Sequence, residues 1–222
     1  MHREKKVPLN PRKLALYTLL FGIVTFALIS FFYLSLDLPI AEAAHSLKGT
    51  FIVTAGKLIS DLASKHVIQT ITFITLVAGA IDAIFYGLSL RAKSILLVSM
   101  STMTAMLTGD ELKWLFGRCR PPMFFEDSAY GFAWFSGKYL QNSFPSGHTL
   151  RAFSLATAVS MLLPRKKAIP LLIATAVGIS RVIVSKHYPS DVIFGCFIGV
   201  TCAIWSYFFL FDWNKSRQQK PK

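Results

Sequence analysis

Six apolar runs, near residues 14–36, 67–90, 94–112, 148–163, 168–186 and 190–211, leave this chain little choice of fold. A hydrocarbon core about 30 Å thick takes about 20 helical residues. Lipid offers the backbone no hydrogen-bond partner, so such segments span as helices. A hydrophobic fraction of 53% weighs against a soluble globule. The expected class is all-α, a polytopic membrane protein with six transmembrane helices in one domain over 1–222. The first run follows Arg12 and Lys13, exceeds a signal h-region and lacks a small-residue cleavage site, so it is read as a lasting helix.

Basic residues orient the bundle. They cluster in a basic arm at 1–13 (Arg3, Lys5, Lys6, Arg12, Lys13), at Arg91 and Lys93, at Arg165 to Lys167, and in a basic tail at 212–222 (Lys215, Arg217, Lys220, Lys222). These 14 of the 24 Lys and Arg fall on one side of a six-span chain. The positive-inside rule makes that side cytoplasmic, with both termini on it. The net charge of +13 therefore reports topology rather than nucleic-acid binding, because the basic runs are short and flank apolar spans.

Other features carry less. Cys119, Cys196 and Cys202 have no metal-ligand spacing. Between Ile40 and Ala63 apolar residues recur every three or four positions, which suits interfacial helices or a segment packed over the bundle mouth. Gly49 and Gly56 argue against one continuous helix there. Asp82, inside the second run, is read as a structural hydrogen-bonding group, and His2, His45 and His66 have no spaced partners.

Three short segments concentrate the chemistry. Lys113 and Arg120 bracket a helix end stopped by Gly117, Pro121 and Pro122. Ser146, Gly147 and His148 open the fourth run, where a helix N-terminus offers unpaired N–H groups to an anion and Gly147 permits close approach. Ser180 to Asp191 supplies Arg181, His187 and Asp191 around the start of the last run, with Pro189 near its first position. Asp191 is expected to accept a hydrogen bond from one ring nitrogen of His187 and leave the other nucleophilic. Counted from the basic side, His148, His187 and Lys113 stand 16, 19 and 20 residues out. They reach about 24, 28 and 30 Å, one outer boundary.

The patterns K-x6-RP (Lys113 to Pro121), PSGH (Pro145 to His148) and SR-x5-H-x3-D (Ser180 to Asp191) strongly resemble the type 2 phosphatidic acid phosphatase superfamily, in its integral-membrane branch. The resemblance implies a metal-independent lipid phosphatase that needs no cofactor. In it His187 attacks phosphorus, Asp191 orients His187, and His148 protonates the leaving oxygen. Lys113, Arg120, Arg181, Ser146 and Gly147 hold the phosphate oxygens. The implied partner is a phosphorylated membrane lipid in the outer leaflet of a bacterial cytoplasmic membrane, with no obligate protein partner. Undecaprenyl diphosphate, phosphatidylglycerol phosphate, phosphatidic acid and lipid A phosphate are the substrate classes it suggests. Transfer of the phosphoryl group to an acceptor lipid is the alternative. Aromatic residues between Met123 and Gln141 are expected at the substrate mouth.

Overall fold

The computed structural model describes residues 10–218. Among them the chain is helical apart from its loops and one isolated bridge between Arg118 and Phe132. Helix α1 (Pro11–Phe31) starts where Asn10 accepts the Arg12 N–H at 2.9 Å and Pro11 takes a first position that needs no donor. It runs through a wide turn at Phe32–Leu36 into α2 (Asp37–Ser46). Gly49, with φ +87°, breaks the helix before α3 (Phe51–Asp61).

Gly56 does not break α3. A Cβ there would lie 3.2 Å from Val184 Cγ1, so the bare backbone lets the helix seat against the end of α8. The connector's other apolar face stays outward, with Phe51 82% and Leu58 69% exposed.

The remaining helices are α4 (Lys65–Tyr86), α5 (Leu90–Phe116), α6 (Pro121–Asp127), α7 (Gly147–Leu162), α8 (Ala168–Ile183) and α9 (Pro189–Tyr207). A second wide turn at Phe208–Asp212 leads to α10 (Trp213–Gln218), so the tail expected from residue 212 begins as helix. The ends of the basic arm and tail, 1–9 and 219–222, lie outside the described residues.

Among the described residues, three helical runs are long and apolar enough to cross a membrane: Pro11–Ser46, Phe51–Tyr86 and Pro189–Asp212. Helix α8 is apolar but shorter, α7 is 16 residues long and polar in part, and α5, though 27 residues long, is also polar in part and not among the three. The reason lies in the packing. Helix α7 sits centrally, against α5, α8 and α9, so Thr149, Arg151, Ser154 and Thr157 are buried by protein. The outer helices face the other way, with Phe26 71% and Ile84 78% exposed.

Close approach depends on small residues, as in other helix pairs packed without a hydrophobic drive between them. Gly195 and Gly199 of α9 form a GxxxG face on α7, where a Cβ at Gly199 would lie 2.5 Å from the Leu150 carbonyl. Asp82 is buried and structural: it accepts from Ser89 Oγ at 3.2 Å and pairs with Arg91 at the head of α5.

Candidate active site

The three segments meet because their backbones are laced together. Gly117 caps α5 in the left-handed region, φ +57°, and its N–H donates to the Lys113 carbonyl at 2.9 Å. The returning chain is then fixed by Cys119 N–H to the Gly131 carbonyl at 2.9 Å, Arg120 N–H to Leu140 at 2.8 Å and Ser143 N–H to Arg118 at 3.0 Å. Helix α7 begins at Gly147 as the PSGH pattern predicts. Ser146 N–H donates to the Asp191 carbonyl at 3.0 Å, which joins the start of α7 to the start of α9. No side chain caps α7, so its first amides are left for an outside acceptor.

His187 is 2% exposed in the turn between α8 and α9. Its Nδ1 lies 2.8 Å from the Ser143 carbonyl, an oxygen that only accepts. Nδ1 therefore carries the proton and Nε2 the lone pair. Burial, then the charges of Arg120, Arg181 and Lys113, hold His187 well below the ordinary imidazole range. It is a neutral base at pH 7.

Asp191 differs from expectation. Its Oδ2 is 3.6 Å from His187 Nδ1, beyond hydrogen-bond reach, because the carboxylate is already occupied. Oδ2 accepts Ser143 Oγ–H at 2.6 Å and the Tyr188 N–H at 2.9 Å as a capping carboxylate in the first turn of α9. Oδ1 accepts Arg118 Nη1 at 2.5 Å. Asp191 thus reaches the imidazole through its field and through Ser143, whose carbonyl holds Nδ1.

Around His187 and the half-buried His148 stand cations without carboxylate partners. Arg120, 6% exposed, donates to the Tyr139 and Asn142 carbonyls at 3.0 and 3.2 Å and lies over the Tyr139 ring. Arg181, 8% exposed, bonds Ser60 Oγ through Nη1, while its Nε has no partner among the described residues. Lys113 Nζ would lie 2.6 Å from a Cβ at Gly147, so glycine keeps the ammonium close to the start of α7. Lys113, Arg120 and Arg181 enter no ion pair among the described residues. Ser146 is buried, its Oγ accepting from Thr149 and its N–H already used, so the free amides begin at Gly147.

Two buried cations near the site escape a reading of the sequence. Arg118 is fully buried and pairs with both Asp191 and Asp37, the latter at 2.7 Å. Ser190 bridges the same groups, and the rings of Tyr33, Tyr130 and Tyr188 stand 5.0, 5.5 and 4.6 Å from the guanidinium. Arg151 is 6% exposed, donates Nε to the Ala63 carbonyl at 3.1 Å and brings Nη1 to 3.2 Å from a Cβ at Gly147. A cation inside the apolar run 148–163 was the available signal. Of the aromatic loop, Tyr130 and Phe132 pack around Arg118, whereas Trp134, Phe135 and Tyr139 are 56–64% exposed.

The profile of the PAP2 superfamily matches residues 92–215, more than half of the chain and all three patterns. The chain belongs to the PAP2 superfamily. In sequence it is 40% identical over 93 residues to a lipid A 1-phosphatase of Rhizobium johnstonii, covering 42% of this chain and 38% of that one. It is also 40% identical over 65 residues to the bacitracin transport permease protein BcrC of Bacillus licheniformis, covering 29% of this chain and 32% of that one. The chain thus spans about two fifths or less of the curated relatives it matches. In fold it is similar to Aquifex aeolicus LpxE, with TM-score 0.58, 24% identity and 78% and 94% of the two chains covered. It is likewise similar to a transmembrane PAP2-type phosphatidylglycerolphosphate phosphatase from Bacillus subtilis, with TM-score 0.63, 22% identity and 91% and 97% covered. The membrane-embedded, all-helical PAP2 fold expected from sequence is therefore the one observed.

Proposed function

We propose that this protein is a membrane lipid phosphatase that works through a phosphohistidine. The observation that carries the reading is His187 itself: a neutral imidazole with Nδ1–H bound to a carbonyl and Nε2 free, near Lys113, Arg120 and Arg181, which enter no ion pair among the described residues. In the first step the Nε2 lone pair attacks phosphorus, the P–O bond to the lipid breaks, and His148 gives its proton to the departing oxygen. Lys113, Arg120, Arg181 and the Gly147 amide neutralise the equatorial oxygens, with Ser146 shaping the turn that presents that amide. Such positioning and charge neutralisation account for most catalysis of phosphoryl transfer. Water then attacks phosphorus, the P–N bond breaks, and His148 takes the water's proton.

The substrate is a lipid phosphate or diphosphate in the outer leaflet of a bacterial cytoplasmic membrane. Six crossings, formed by α1, α4, α5, α7, α8 and α9, set both termini in the cytoplasm and the site outside. The distribution of Lys and Arg supports that orientation. An apolar cavity of 410 Å³ between α4, α7 and α8, lined by Ile71, Ala152, Val159 and Ile173, supports lateral delivery of a hydrocarbon chain. Ala63, whose carbonyl holds Arg151, also lines it.

The test is phosphate release by the purified protein in excess EDTA, on undecaprenyl diphosphate, phosphatidylglycerol phosphate, phosphatidic acid and lipid A. Release that persists in chelator and is lost in His187→Ala is expected. Donor consumed only when an acceptor lipid is added, with little free phosphate, would replace hydrolysis by transfer.

A further inference from the structure

Beside the phosphate site lies a cavity of 600 Å³ that none of the catalytic roles uses. Its walls come from the end of α2, from α3, from α6 and from the α8–α9 turn. Lys48, Lys57 and Lys186 line it from three separate segments, together with His45 and a single carboxylate, Glu126. None of the three lysines joins an ion pair among the described residues. All three are exposed, and positive charge of one sign lining a concavity concentrates anions there.

The α8–α9 turn ties this cavity to the reaction. Ser185 adopts φ +50°, the left-handed conformation that commonly ends a helix, and it turns the chain from α8 toward His187. Lys186 and His187 both donate their N–H groups to the Arg181 carbonyl, at 3.1 and 3.3 Å. Lys186 is exposed and lines the cavity, while His187 beside it is 2% exposed at the phosphate site. Backbone positions about 3.8 Å apart thus serve both places. Leu140 does the same from the facing wall, because it lines the cavity and its carbonyl accepts the Arg120 N–H at 2.8 Å.

Resting on the phosphatase reading, we propose that this cavity is a second anion subsite for the substrate's own headgroup. It takes a phosphate or carboxylate that stays on the lipid, while the scissile phosphate lies at His187. The preferred substrate is an amphiphile with two separated anionic groups, and the lysine cavity sets that preference through affinity.

The experiment compares two probes in zwitterionic micelles: lipid A phosphorylated at both ends of its disaccharide, and the same lipid with only the reducing-end phosphate. Wild-type protein should turn over the first with kcat/KM about tenfold higher, carried by KM, since three weak ion pairs sum to roughly that factor. The ratio should fall to about one in Lys48→Gln/Lys57→Gln/Lys186→Gln. In a His187→Ala background, affinity for the doubly phosphorylated lipid should drop by about the same factor on adding the three substitutions. Equal turnover of both probes by the wild type, or an unchanged ratio in the triple variant, overturns the subsite while leaving the phosphatase reading intact. So does a lysine-dependent gain on the singly phosphorylated probe when bulk phosphatidylglycerol is added, which would assign the cavity to neighbouring lipid. Absence of phosphate release from every lipid tested would instead overturn the phosphatase reading, and the binding comparison would then judge the subsite alone.

Discussion

Arg118 shows how a buried charge is tolerated and what it does. With no solvent exposure, its guanidinium is held charged by Asp191 and Asp37, which together outweigh the burial that opposes ionisation. Removing one member of such a group leaves the others buried and uncompensated, at a cost of about 3–5 kcal/mol. Arg118→Met should therefore lower the thermal midpoint in detergent sharply. Asp37→Asn, which keeps shape and loses charge, should reduce kcat more than KM by disturbing the carboxylate that holds Ser143. A midpoint in Arg118→Met equal to wild type would refute the pairing. His187 gives a pH prediction of definite sign. Its folded pKa lies well below the ordinary value, so below about pH 6.5 the unfolded chain binds the extra proton and the folded one does not. Wild-type stability should then fall relative to His187→Gln by up to about 1.4 kcal/mol per pH unit, and match its trend above that pH. Parallel curves from pH 7 to 5 would contradict a buried neutral imidazole.

Helix α9 places Asp191, and it does so through its contact with α7. At Gly195 a Cβ would meet the Ser146 carbonyl at 2.8 Å, and at Gly199 the Leu150 carbonyl at 2.5 Å and the Ser154 nitrogen at 2.9 Å. These neighbours are backbone, which cannot swing aside like a flexible side-chain end. Gly199→Ala should force the helices apart, costing about 1–3 kcal/mol and lowering kcat/KM, since the same movement shifts the start of α7 against Asp191. Gly137→Ala is the control, because nothing lies within 4 Å of a Cβ there. Thermal unfolding and turnover of both variants decide the matter, and a loss at Gly137 equal to that at Gly199 would discount the contact.

For the molecule as a whole, the proposed orientation is open to a labelling experiment. Cys119 is buried and a poor reporter, so introduced cysteines serve better. With the three native cysteines replaced, Asp127→Cys at the end of α6 and Lys166→Cys before α8 both fall at exposed positions. A membrane-impermeant maleimide applied to intact cells should modify the first at once and the second only after permeabilisation. The reverse pattern would place the site in the cytoplasm.

Local chemistry determined much of this protein. The ends of α5, α7 and α9 were legible because Gly117, Ser146-Gly147 and Tyr188-Pro189 act on the backbone within one turn of themselves. That Lys113, Arg120, Arg181, His187 and Asp191 would lie near one another was legible because polar residues bounding apolar spans collect at one boundary. Three of the six proposed spans are not among the long apolar runs: α5 and α7 bury polar residues against protein, and α8 is apolar but only 16 residues long. Tertiary structure alone decided which oxygen holds His187. Ser143, 44 residues away, supplies the acceptor at 2.8 Å, while Asp191, four residues away, stops at 3.6 Å. Spacing along a chain states which groups can meet. A hydrogen bond is won or lost over a few tenths of an ångström, and that distance follows from how α5, α7 and α9 pack together with the start of α2, whose Asp37 reaches Arg118 across 81 residues.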